Sequence, residues 1–426
     1  MSAKDERLKI RDIVLWVSVA ALLRLAAMVF AAHSDVIFVN YFPSKLAYQG
    51  VFDIYRYIDL NFSGERVWSY YPPMTYYVLG AFQFLMRPFD AGFDRWIHAV
   101  YFGGLGEWLA ANKGSADIFR HLFFMKLPYA FFDALCVFCV VRYMDEGRSK
   151  KRALKLWSVN PVILYGVYMF GQVDIMPAAL TILSILMIKL RRIWWGFFLL
   201  SVAALFKTFP VFLILPFMIV LTRSGKELVR NLTAVAVPFI VVLLPLYLSG
   251  GKGVIGSLFP RFYVAEVTGM SWEFIPKAVF AALYVFLLYR CVVSGKEGRD
   301  IFFPGLAVSV LMLVYTVFFV PVHYFVWVMP ILIVTVCLGM VPEWVYWAQI
   351  SCLFLYALNS ALTTTALFAP LNPDLFLSLP GLPDIMHGLA VRWGAVMLAA
   401  RMVFTAICVL VAMGLIGLNN KEKKHV

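Results

Sequence analysis

Charge is scarce in this sequence. Asp, Glu, Lys and Arg make up 14% of its 426 residues, roughly half of what soluble domains carry. Apolar residues reach 62% and aromatics 17%, which excludes a soluble globule and indicates a polytopic membrane chain. Acidic residues are scarcer than basic ones, 24 against 37, for a formal charge of +13. That balance does not indicate a nucleic-acid partner, because the Lys and Arg residues fall in short clusters between apolar runs, where they orient spans. Cysteine is also scarce. All six, Cys136, Cys139, Cys291, Cys337, Cys352 and Cys408, lie inside apolar runs. Cys136 and Cys139 have metal-site spacing but no second pair accompanies them, so they are read as helix filler. A small-x-small cleavage site is missing after the first apolar run, so Lys4 to Arg11 and the following run read as an anchor. No convincing repeat relates the two halves.

The apolar runs predict an all-α, polytopic integral membrane protein of a single domain, 1–426. Crossings are expected at about 12–32, 119–143, 155–172, 175–190, 193–206, 208–222, 231–248, 275–293, 301–320, 324–341, 344–367 and 388–417. Twelve crossings place the basic clusters Lys4 to Arg11, Arg148 to Lys155, Lys189 to Arg192, Arg223 to Arg230, Arg290 to Arg299 and Lys421 to Lys424 on one side. The positive-inside rule makes that side cytoplasmic, with both termini. The count rises to fourteen if 73–87 crosses and a segment around 94–111 returns; otherwise 73–87 dips in and comes back. The outer side then holds 33–118, with interfacial helices and the possible re-entrant helix, and the loops 249–274 and 368–387. In the first of these, the amphipathic stretch Val51 to Leu60 is expected on the membrane surface, with Asp53 and Asp59 in water and Glu65 beyond it.

The polar residues that are costly to keep in lipid gather on this outer level: Asp35, Gln172, Asp174, Lys207, Arg261, Glu266 and His323. Each has a plainer reading. Asp35, one turn past the first span, fits a helix cap as well as a catalytic carboxylate. Lys207 lies against the positive-inside trend, which favours an anion ligand over a snorkelling anchor. His323, between two spans, fits a structural hydrogen bond or a functional one. Arg24 and Asp133, deep within helices, are expected to neutralise each other, and Arg392 and Arg401 suit either a lipid phosphate or an acidic neighbour. A carboxylate beside Lys, Arg and His suits displacement of a phosphate leaving group from a membrane-held donor: one group takes a proton and the others stabilise the developing charge.

The stretch Tyr70-Tyr71-Pro72-Pro73-Met74-Thr75-Tyr76 resembles the Tyr-Pro-Pro signature of dolichyl-phosphate-glucose-dependent glucosyltransferases and their bacterial and archaeal relatives. These are membrane glycosyltransferases of the C superfamily (GT-C). Further blocks follow in order: Phe124-Met125-Lys126 with Asp133, Asn160-Pro161, Gly171-Gln172-Val173-Asp174, Phe206-Lys207, Leu258-Phe259-Pro260-Arg261 running to Trp272, and Val322-His323 before Met329-Pro330. The blocks span about 24 to 330, and the last hundred residues add hydropathy only.

The resemblance implies an inverting transfer of a hexose, mannose or glucose, from a polyprenyl-phosphate-sugar donor to a glycolipid, lipid-linked glycan or other acceptor. It implies that Asp35 is the general base and that Lys207, Arg261 and His323 hold the donor phosphate. Gln172, Asp174, Tyr71, Trp272 and Glu266 are the expected sugar or acceptor ligands. The expected location is the outer side of the cytoplasmic membrane, among membrane lipids. No cofactor is required by this reading; the first loop has no Asp-x-Asp, although Asp35 with Asp174 could hold a divalent metal. The alternative class is a secondary transporter or lipid flippase, which would gather its polar groups nearer the midplane.

Overall fold

The computed structural model describes residues 9–62, 71–250, 253–258, 274–293, 299–318 and 321–418. Among these the chain is helical throughout, with no strand. The first long helix is α1 (Ile10–Phe30). Five short elements follow: α2 (Ser34–Gln49), α3 (Ile54–Asn61), α4 (Pro73–Met86), α5 (Phe93–Gly103) and α6 (Leu105–Ala111). The chain continues as α7 (Asp117–Tyr143), α8 (Gly147–Ser158), α9 (Pro161–Ile163), α10 (Ile175–Lys189), α11 (Ile193–Ala204), α12 (Val211–Leu221) and α13 (Gly225–Leu248). Then come α14 (Gly253–Gly256), α15 (Phe274–Val293), α16 (Arg299–Val317), α17 (Met329–Cys337) and α18 (Glu343–Ala357). The short α19 (Pro373–Ser378) and α20 (Leu382–Gly388) precede the last helix, α21 (Trp393–Leu418).

The apolar surface of these helices identifies their solvent. Leu22 is 72% exposed, Val241 65% and Leu410 70%, and such surfaces are stable only against hydrocarbon. Four helices, Ile10–Phe30, Asp117–Tyr143, Gly225–Leu248 and Trp393–Leu415, are long and apolar enough to cross a membrane. The protein is an integral membrane protein. The expected crossings 175–190, 193–206 and 208–222 correspond to α10, α11 and α12, of 15, 12 and 11 residues, shorter than the ~20 a full crossing takes. The expected span 155–172 is interrupted. Asn160 caps α9 through the Ile163 amide at 3.0 Å, and the chain then widens into a π-helix over Leu164–Met169. The 324–341 run opens as a 3-10 helix, Val322–Trp327, before α17, and 344–367 stops being α-helical at Ala357.

The first loop folds back on itself. Ile54, Tyr55 and Ile58 of α3 are buried and Leu60 is exposed, and Asp53 caps this helix through the Arg56 amide at 3.1 Å. The Pro72-Pro73 corner starts α4, whose Thr75 hydroxyl donates to the Phe206 carbonyl at 2.9 Å. Fourteen residues cover about 21 Å, less than the hydrocarbon thickness. Two apolar cores result: one joins most of the long helices, the other joins α2 to α6 with the start of α7. Val36 belongs to the second and Val39 to the first, so the start of α2 stands where they meet.

Helix C-termini leave carbonyls without amide partners, and lipid offers no water to satisfy them. In this fold, basic side chains from neighbouring elements take that place. Lys126 of α7 donates to the Ala27, Met28 and Ala31 carbonyls at the end of α1. Arg24 of α1 donates to the Trp157 and Ser158 carbonyls ending α8, at 3.1 and 2.9 Å. Arg401 of α21 reaches the Tyr315 and Phe318 carbonyls ending α16. Lys189 donates to Tyr143 at the end of α7, Arg152 to Val336 of α17 and Arg87 to Ala47 of α2. Arg24 also pairs with Asp133 as the sequence suggests. Trp157 Nε1 and the Tyr168 hydroxyl donate to the same carboxylate at 2.6 and 2.7 Å.

Candidate active site

The site begins at the N-terminus of α2. His33, outside the first turn, places its Nδ1 3.2 Å from the Asp35 backbone nitrogen and 3.2 Å from Asp35 Oδ1. A neutral Nδ1 accepts the amide and caps the helix; a protonated one donates to the carboxylate. The other carboxylate oxygen, Oδ2, accepts from Gln172 Nε2 at 2.6 Å. Burial pushes the Asp35 carboxyl up, but the hydrogen bond and charge of His33, the charge of His323 and the Gln172 hydrogen bond together hold it below its ordinary value. Asp35 is therefore ionised at neutral pH. Its side chain is 32% exposed, so it can meet a substrate.

Gln172 reaches Asp35 because of the glycine before it. Gly171 has φ +82°, and a Cβ there would stand 2.6 Å from Val36 Cβ. Only glycine combines that backbone with that approach. The preceding π-helix, a widened turn common at functional positions, presents the Gly166 carbonyl to the Gln172 amide at 3.2 Å. A Cβ on Gly166 would meet His323 Cα at 2.9 Å, so the π segment lies directly on the 3-10 helix that carries His323. One face of α7 holds both parts of the site. Lys126 ties down the end of α1 just before His33, and Tyr129, three residues on, donates to the Gly171 carbonyl at 3.0 Å.

From Gln172 the polar chain continues outward. Its Oε1 accepts from the Tyr71 hydroxyl at 3.3 Å, and the Tyr71 ring is 6.0 Å from Lys207 Nζ. Lys207 also faces the rings of Tyr324 at 4.3 Å and Trp327 at 5.6 Å, an aromatic cage for an ammonium group. Its Nζ donates to Asp174 Oδ1 at 2.7 Å, and Trp327 Nε1 donates to the same oxygen. Asp174 is fully buried, and its Oδ2 has no hydrogen-bond partner. Asp174 thus faces Lys207 and Trp327 rather than Asp35. His323 is 9% exposed and its ring stacks on Phe170, which also stacks on His33, at centroid distances of 5.4 and 3.8 Å.

Of the residues singled out in the sequence, Asp35, Tyr71, Gln172, Asp174, Lys207 and His323 converge. Arg261, Glu266 and Trp272 lie outside the described residues. His33, Phe170, Tyr324 and Trp327 were not singled out for the site. For Tyr324 and Trp327 the signal was an aromatic run directly after His323, which reads equally as interfacial anchoring. Arg401 turns from the lipid-phosphate reading to helix capping.

Fold and site together define a polytopic, all-helical membrane protein with an ionised carboxylate hydrogen-bonded through Gln172 to Tyr71, whose ring borders a caged lysine. No family model matches the sequence, and no curated protein does. Two solved structures are similar to it: ArnT from Cupriavidus metallidurans in the apo state, and the same protein bound to undecaprenyl phosphate. The first is 15% identical and aligns over 96% of this chain and 76% of its own, with a TM-score of 0.46. The second is 15% identical over 96% and 77%, with a TM-score of 0.44.

Proposed function

We propose that this protein is a GT-C glycosyltransferase that moves a hexose, mannose or glucose, from a polyprenyl-phosphate donor to a glycolipid or lipid-linked glycan. The single observation that carries this reading is the arrangement of Asp35: ionised, a third exposed, and aimed by Gln172. A carboxylate so held is suited to take a proton from an acceptor hydroxyl. The hydroxyl oxygen then attacks the anomeric carbon from the face opposite the phosphate. The carbon–phosphate-oxygen bond breaks, the configuration inverts, and polyprenyl phosphate leaves. Lys207 supplies the charge that meets the leaving phosphate. At rest it is neutralised by Asp174, so a phosphate must share it with that carboxylate. Arg261 is the second cation of the proposal. His323, neutral at pH 7, contributes an N–H, and Tyr71, Trp272 and Glu266 complete the sugar and acceptor contacts.

The proposed orientation has both termini in the cytoplasm and the site on the outer side of the cytoplasmic membrane. The test is incubation of the purified protein with radiolabelled polyprenyl-phosphate sugars and a membrane lipid extract. Wild type is expected to yield a labelled product, and Asp35→Asn to lose roughly 10²–10⁴-fold in rate with unchanged membrane insertion. Near-normal transfer by Asp35→Asn would remove the carboxylate from its role. No product from any donor would remove the transferase reading. Chelation with EDTA is expected to leave the rate unchanged, since Asp174 Oδ1 already accepts from Lys207 and Trp327; a loss restored by a divalent ion would overturn this.

A further inference from the structure

Far along the chain from the Asp35 site, the turn between α10 and α11 and the second turn of α13 border an open pocket of about 280 Å³ lined by Arg191, Arg192, Ile193, Trp194, Trp195 and Arg230. Arg192 and Arg230 come to this lining from two different elements, and no acidic residue belongs to it. Glu227, the nearest acid along α13, accepts the Arg223 amide at 2.7 Å. Guanidinium groups match phosphate oxygens in pairs, so Arg192 and Arg230 on one lining without an acid suit a phosphate. The volume is below the ~300–1,000 Å³ of sites for drug-sized molecules, a size for a headgroup rather than a large solute.

The surroundings identify a lipid as the carrier of that anion. Directly beyond Arg230, α13 turns apolar and presents Leu232, Val237, Ile240 and Val241 outward, each 41% exposed or more. Trp195 is 51% exposed beside the pocket, and Trp194 stacks on Phe198 at 5.2 Å, the indole placement of a membrane–water boundary. The pocket therefore opens at the level where hydrocarbon begins, with an apolar track for acyl chains leading from it.

We infer that this pocket binds the phosphate headgroup of an anionic phospholipid, with Arg192 and Arg230 as its principal ligands. The site is independent of the proposed transfer reaction. The test uses the full-length protein, delipidated in neutral detergent and titrated with phosphatidylglycerol, with phosphatidylcholine of the same chains, and with water-soluble glycerol phosphate, followed by native mass spectrometry and thermal midpoint. Wild type is expected to retain and be stabilised by phosphatidylglycerol above phosphatidylcholine. Arg192→Gln/Arg230→Gln should weaken that retention roughly tenfold or more, and Arg192→Lys/Arg230→Lys should recover part of it. Equal retention by wild type and the Gln variant would overturn the site and reduce the cluster to a topological signal. Equal protection by glycerol phosphate would overturn the lipid as its ligand.

Discussion

His323 is buried, and burial opposes its protonation. Burial pushes its imidazole down to about 4, with Lys207 and His33 adding to that effect against Asp174 and Asp35. An unfolded chain takes up a proton near pH 6.5 that the folded one refuses until about 4. Stability therefore falls as pH drops through that window, by about 3 kcal/mol in all. Asp35, whose folded value is lowered, contributes stability that is lost only below its ordinary 3.8, outside the same window. Thermal midpoints at pH 7 and pH 4.5 should diverge more for wild type than for His323→Gln; parallel losses would dismiss the histidine as the cause. Gly171→Ala would force a Cβ onto Val36 at a left-handed φ. It should cost about 1–3 kcal/mol and separate Gln172 from Asp35, read as a lower thermal midpoint with at least tenfold slower sugar transfer. The position of Asp35 was legible because a carboxylate directly after a span is conspicuous. The Lys207–Asp174 pair was not, since 33 residues separate partners that only the packing of α10, α11 and the 3-10 helix brings together.

Among elements, the repeated device is a helix end sealed by a cation from elsewhere. Lys126→Met would leave the Ala27, Met28 and Ala31 carbonyls without their donor. The expected net cost is about 1–3 kcal/mol, read as a lower thermal midpoint in detergent; an unchanged midpoint would show that water reaches the end of α1. Apolar length was enough to find α1, α7, α13 and α21. It missed the break at Asn160 and the 3-10 start of α17, because an apolar run looks the same whether its backbone is α, π or 3-10. Nor does a lysine in a helical pattern say which carbonyls it will meet.

For the whole molecule, the proposed orientation makes a prediction that needs no substrate. On a Cys352→Ser background, His387→Cys should react with a membrane-impermeant maleimide added outside cells, and Arg148→Cys only after lysis. The reverse pattern would place the Asp35 site on the cytoplasmic side. The sealing of helix ends also bears on how the chain is made. The end of α1 finds its donor about a hundred residues later in α7, and the end of α16 waits for Arg401 in α21, the last helix. Neither end can settle while its partner is still in the ribosome or translocon, so the start of α2, where Asp35 stands, takes its final place only after α7 has been inserted.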